Sequence, residues 1–518
     1  MTAGGSITLD EVQAGTLSTI AGRGLSWTSV TVEGAAVGEA QGAGAALSGV
    51  SAASATISAR GDATAEASEF GRLTLTARGD ATLRDLTAGR LIVAAGVDFG
   101  GEDTASAGDE GFGEGTALLA RVTSDRATVS AVADVIARDS GFGRIEADAG
   151  RDGRAARVVA ATVEMTAGGD LAWTDLSADE ATGVAREGSA ELLRVGAGTA
   201  SVRAGQDLGV SASSFGALEI AAGRDLSAAR LTTGTLAASA GRDLGASDIE
   251  GRTLGFEAGR DMDARRIAGE TLGLEAEGGL SVANLTGARA ELSGGAGLEA
   301  ARIEAGELDL RSGGAIAATD LTYGDASLAA GGDLTLARAE GGLLSVTAAG
   351  AATLSDLAVA RLDGTAQGDL DAARIETAGP LRLQGRNVAL SDVASGGGAQ
   401  VTALGDLAAR RVLGQGNLTL GADKGARLTQ VSAGRRLSVQ TRGGGEAGAL
   451  TLRAIEARDI VADAGGPLDL DGAAVAGEAS LRARRGDLLL GALEVGGGLT
   501  AQADAGSIRT QLGMAAIV

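Results

Sequence analysis

The chain of 518 residues contains no cysteine, no histidine, two prolines and a single lysine, Lys424, and aromatic residues make up only 2% of it. Each shortage excludes something. Without cysteine there is no disulfide framework and no thiol chemistry. Without histidine the commonest general base and metal ligand is missing. The lone lysine belongs to no P-loop or S-x-x-K motif, and no serine stands in a G-x-S-x-G context. The net charge is −23, from 44 basic and 67 acidic residues, which argues against a basic surface for nucleic acid or anionic lipid. No run of eighteen apolar residues is present, so no transmembrane helix is expected. The opening stretch, residues 1–7, has neither a basic region nor an apolar segment and does not read as a signal peptide.

What is abundant is repetition. Leu226, Leu244, Met262, Leu280, Leu298, Ile316 and Leu334 recur at intervals of eighteen. Leu231, Ile249, Ile267, Leu285, Ile303 and Leu321 repeat the interval five residues downstream. Further rows lie ten and twelve residues after the first, as in Leu236 with Ala238 and Leu308 with Leu310. A fixed period near twenty residues marks a stacked repeat architecture. Wound as an α-helix, these rows would surround the axis and define no apolar face, and the recurrent glycines would weaken every turn. As strands the pattern fits. Segments such as 235–240, 271–276 and 307–312 alternate between aliphatic or small and polar residues, the period of a strand with one buried face.

Each unit therefore reads as strand, bend, strand, turn. Turns are expected at Gly223-Arg224, Gly241-Arg242 and Gly259-Arg260, and on the opposite side at Gly234, Gly251 and Gly269. Stacked in parallel, the units make an all-β parallel β-helix, a solenoid with coils of about eighteen residues. At ~4.8 Å per stacked strand, about twenty-five coils give a rod on the order of 120 Å long. The rhythm runs through 1–518 as one continuous repeat region. It is broken by an acidic, glycine-rich stretch at 100–115, expected to be a surface loop, and by an expected insertion at 178–190. The first and last residues already resemble repeat units and no capping unit stands out, so a piece of a longer chain is expected.

Three features carry possible chemistry. Asp207, Asp225, Asp243 and Asp261 form a row at the turn, spaced by eighteen. Stacked roughly 5 Å apart, such carboxylates need compensation. Calcium is one candidate. The favoured one is hydrogen bonding to turn amides, with Arg224, Arg242 and Arg260 balancing the charge. The row lapses at Gly279, Gly297 and Ala315 while the coils continue, so stacking does not require it. Three Arg-Gly-Asp triplets, at 60–62, 78–80 and 485–487, match an integrin ligand but fall on the same recurring turn and read as its variants. Two Asn-Leu-Thr sequons begin at Asn284 and Asn417. No catalytic or cofactor-binding residue is singled out, and no enzymatic activity is expected.

The Ala-Gly-Arg-Asp-Leu and Ala-Gly-Gly-Asp-Leu runs, each followed by a five-residue step and a G-x-L-x-L-x-A strand, resemble filamentous-haemagglutinin-like repeats of large exoproteins secreted by the two-partner route. The resemblance implies a right-handed parallel β-helix on the cell surface of a Gram-negative bacterium. There it would be the elongated shaft of an adhesin, acting in adhesion or biofilm cohesion. It implies an outer-membrane transporter as secretion partner, contacts with other copies or neighbouring surface proteins, and a host-cell or glycan receptor. The amino-terminal secretion domain of that family is not seen here. The alternative is a self-assembling β-helical filament or sheath subunit. A polysaccharide-degrading β-helix enzyme, relying on carboxylates and arginine, comes third.

Overall fold

The computed structural model describes residues 1–96 and 115–510. It is a parallel β-solenoid of about 27 turns in which strand accounts for 76% of the residues. Among the described residues no α-helix occurs, and one short 3-10 turn spans Gly445–Gly448. The sequence reads as one continuous region, but residue contacts divide the chain into two compact units, Met1–Gly259 and Arg260–Val518. The loop expected at 100–115 lies outside the described residues except for Gly115.

In the first unit Leu208–Ala222, Leu226–Ala240 and Leu244–Ala258 are successive coils, each paired in parallel with the next. Leu226 lies against Leu244, Leu231 against Ile249, and Leu236 against Leu254. The second unit repeats the arrangement, with Leu298 against Ile316 and Ile316 against Leu334. The expected hydrophobic rows are thus columns in space, and all of these residues are buried. Fully burying one such side chain stabilises by roughly 1.5–3 kcal/mol relative to exposure.

The burial pattern of Leu226–Ala240 shows how a coil bends. Leu226 and Ala228 point inward, then Leu231 and Thr233, then Leu236, Ala238 and Ala240. Outward residues fall side by side at 229–230 and again at 234–235, and these two phase slips are corners. With the turn at 223–225 they give each coil three short faces. The first corner is the bend expected before Leu231, for which the sequence pointed to no turning residue. Its left-handed residue is Arg230, with Asp248 one coil on, and neither is glycine.

Gly234, expected at the opposite turn, stands at the second corner. A Cβ on Gly234 would lie 2.4 Å from the Gly216 carbonyl oxygen one coil back, and Gly216 stands in the same relation to Gly198. Close backbone approach, not positive φ, favours glycine there, although Arg252 takes the corresponding place one coil on. Gly251 and Gly269 do not share its place, since Gly251 stands in register with the inward-facing Thr233.

Within the stretch 178–190 one residue is added to the coil. Ser177–Ala185 stays in the stack, paired with the preceding coil at the usual interval and with Gly196–Ala204 one residue later. The single extra residue enters the turn between Ala185 and Ala190, where a solenoid tolerates it.

The two tryptophans, Trp27 and Trp173, are fully buried. Each faces a glycine on the opposing strand. A Cβ on Gly183 would approach Trp173 at 2.9 Å and the Leu171 side chain at 2.6 Å, and Gly38 meets Trp27 and Leu25 in the same way. The narrow core admits an indole only where the facing residue has no side chain. Gly183→Ala is therefore expected to destabilise by about 1–3 kcal/mol through overpacking. Gly209→Ala, where an added Cβ meets nothing within 4 Å, should be neutral or slightly stabilising. Urea unfolding followed by tryptophan fluorescence distinguishes the two.

Candidate functional site: two charge ladders

The turn aspartates point along the stack. In the first unit Asp207 accepts the amide of Asp225 at 3.3 Å, and Asp225 accepts the amide of Asp243 at 3.3 Å. In the second unit Asp261 accepts the amide of Gly279 at 2.8 Å. The next coil need not carry an aspartate, because the donor is backbone. Asp170 accepts the Ser189 amide at 2.8 Å and Asp333 that of Ala351 at 2.8 Å. Each carboxylate thus clamps one turn onto the next, and the row can lapse without disturbing the coils.

Arginines close the outer side. Arg224 donates to both carboxylate oxygens of Asp207, at 3.2 and 2.9 Å, and Arg242 grips Asp225 in the same forked manner. Arg260 lies 3.4 Å from Asp261, and Arg242 lies 3.9 Å from Asp243. The hydrogen bonds from Arg242, helped by the Asp243 amide, hold Asp225 down at about 2. Among the described residues no group of three or more acidic side chains has the geometry to hold a metal ion. The Arg-Gly-Asp carboxylates belong to the same clamp. Asp62 accepts the Asp80 amide, Asp80 that of Thr116, and Asp487 that of Ser507, all within 2.9 Å.

The second ladder was not recognised from sequence. It occupies the left-handed corner. In the first unit the corner residues are Glu11, Ser29, Gly49 and Ala67, which do not alternate, and then Asp85, Arg121, Asp139, Arg157, Asp175, Arg194, Ala212, Arg230, Asp248. In the second they run Arg266, Asn284, Arg302, Asp320, Arg338, Asp356, Arg374, Asp392, Arg411, Gln430, followed by Ala454 and Gly472. From Asp85 to Asp248 and from Arg266 to Gln430 φ stays between 49° and 59°, and positive against negative or neutral, the signs alternate coil by coil. Aspartate and asparagine accept this conformation comparatively well. Arginine has no local reason to adopt it.

The reason lies one coil back. Arg157 donates through Nε and Nη2 to the two oxygens of Asp139, at 2.5 and 2.9 Å. Arg338 does the same to Asp320, at 2.5 and 2.9 Å, and Arg194 to Asp175, at 2.5 and 3.0 Å. Arg121 grips Asp85, Arg374 grips Asp356 and Arg411 grips Asp392. Arg302 reaches Asn284 Oδ1 at 2.6 Å. The planar fork suits two parallel bonds to a carboxylate. Each paired aspartate is held below the ordinary carboxylate value, chiefly by its arginine hydrogen bond. The signal for this ladder was available, since it keeps the same period and precedes the second hydrophobic row by one residue.

An open trough of about 450 Å³ lies on the second unit, lined by Asp369, Asp371, Asn387, Asp406 and Arg427 over a floor that includes Ala389 and Ala408. It brings carboxylates together with a guanidinium and the Thr451 side chain. No family model, curated protein or solved structure matches the chain.

The pH dependence follows from the paired aspartates. Their folded-state pKa values are depressed below 3.8, so their stabilising contribution is complete above that value. It is lost as pH falls through the folded values, which reach down to about 2 at Asp225. The melting temperature should therefore be level from pH 7 to about 4 and fall between about 4 and 2. The pairs are exposed, so molar salt should shrink the effect. Replacing Asp320, Asp356 and Asp392 by Asn should lower the melting temperature at pH 7 and flatten the acid limb. An unchanged acid limb would remove the ladder from the account.

Proposed function

We propose that the chain is a structural shaft, the elongated part of a bacterial cell-surface exoprotein of the adhesin type. The observation that carries this is coil stacking in register, repeated within each unit, with apolar columns inside and charged ladders outside. A solenoid of this kind turns chain length directly into reach. The chemistry it offers suits holding and spacing. Carboxylates and guanidinium groups are used mainly to clamp coil to coil.

The high negative charge keeps the flanks soluble and discourages indiscriminate side-to-side association. Secretion by a two-partner route, a receptor on a host cell or glycan, and contacts with other copies extend the same proposal. They rest on the resemblance of the repeat units to haemagglutinin-like exoproteins.

Electron microscopy of the purified chain should show discrete rods on the order of 120 Å long, from ~4.8 Å per coil. Compact particles would contradict a shaft, and so would cleavage of acidic polysaccharides by the purified protein. Shortening the rod by pairs of coils should reduce the distance of an immunogold label from the cell surface in proportion.

A further inference from the structure

Several hydrophobic columns do not tell one coil from another. Leu298, Ile316 and Leu334 are of similar size, and Ala300 and Ala318 are identical, although Tyr323 over Gly341 is a matched pair. A coil that docked two positions along the stack, leaving one out, would keep its backbone pairing and much of its core contact. Near-identical repeats therefore need something that distinguishes the next coil from the one after it.

We propose that the alternating left-handed corner is a stacking-register code, which lets coil n accept coil n+1 and reject coil n+2 while the coils between Asp85 and Gln430 assemble. In the native register every corner arginine meets a carboxylate or a neutral residue. Skipping one coil sets arginine on arginine and aspartate on aspartate, at the ~4.8 Å spacing of paired strands. Arg157, for example, has Asp139 on one side and Asp175 on the other, and both favour its charge.

Two further observations carry the proposal. First, the signs follow neighbours in space, not distance in sequence. Ala81–Ala95 pairs directly with Ala117–Ala131, so Asp85 and Arg121 are adjacent although 36 residues apart. Between Asp139 and Asp175 the same separation spans two coils, and the sign is the same. Alternation also survives coils one residue longer, as at Asp175–Arg194 and Asp392–Arg411. Second, where the acidic phase lapses, its place is taken by Ala212, Asn284 or Gln430 and never by a basic residue, while the arginine phase does not lapse from Arg121 to Arg411.

The block from Arg302 to Arg411 is bounded by neutral Asn284 and Gln430, so it can be rewritten inside the full chain. An inverted ladder exchanges every Arg and Asp in the block. A doubled ladder carries Asp320→Arg, Arg338→Asp, Asp392→Arg and Arg411→Asp, which keeps composition and net charge but makes coils n and n+2 complementary. The chain lacks cysteine, so introduced pairs report cleanly. Thr322→Cys with Glu340→Cys links adjacent coils, and Thr322→Cys with Ala358→Cys links only coils that have skipped, because two coils (~9.6 Å) exceed disulfide reach.

After oxidative refolding, the original and inverted ladders should give the adjacent link and only traces of the skipped link. The doubled ladder should raise the skipped link at least fivefold. Equal traces in all three would overturn the code. If the doubled ladder yields no soluble protein, a ladder with all seven residues changed to Asn decides. A skipped link raised at least twofold supports the proposal, and an unchanged one refutes it.

Discussion

The structure depends on one constraint, the backbone hydrogen bond between a coil and its neighbour at a fixed interval of about eighteen residues. Once the amide of Leu226 is committed to the carbonyl of Asp243, every side chain in the coil stands over its counterpart. An apolar residue then belongs to an apolar column, and a charge belongs to a column of charges. Where two backbones approach closely, as at Gly216 and Gly234, an added Cβ would crowd the carbonyl of the preceding coil. Stacking brings like positions together, so it is favourable for leucines and unfavourable for like charges.

The two charge ladders answer that difficulty in different ways. At the turn, a column of aspartates is tolerated because each carboxylate accepts an amide from the next coil and an arginine covers its outer side, as at Asp207. At the left-handed corner the answer is alternation. A residue forced to φ near 55° incurs a conformational cost on the order of 1–2 kcal/mol. The forked bond from Arg338 to Asp320 helps to offset it, although exposure limits what such a pair contributes. The value of the corner lies more in which neighbour it accepts than in how tightly it holds.

Much of the fold was legible in the sequence, because a hydrophobic period of eighteen leaves few architectures open. Leu226, Leu231 and Leu236 each stand in the column expected of them. What turns the first corner was not legible, for a physical reason. Glycine is the usual left-handed residue, so Gly234 was read at the opposite turn, where it stands, while Arg230 and Asp248 at the first bend went unassigned. Arginine in that conformation makes sense only with its partner one coil back in view, which local propensity does not reveal. The turn aspartates were visible, and amide acceptance was one of the roles read for them. That their donors are backbone groups of the next coil, so that Gly279 can follow Asp261, emerged only from the stacked geometry.

Deletion within the second unit tests the central claim most directly. Removing 316–351 takes out two whole coils and leaves Arg302 facing Asp356, so register and charge alternation are both kept. Removing 316–333 takes out one coil and leaves Arg302 facing Arg338. Removing 316–342 takes out a coil and a half, which turns the following strands out of phase. Thermal unfolding followed by circular dichroism should rank them in that order. The two-coil deletion should melt close to the parent chain, the one-coil deletion lower, and the third should lose cooperative folding. A one-and-a-half-coil deletion as stable as the two-coil deletion would contradict the account.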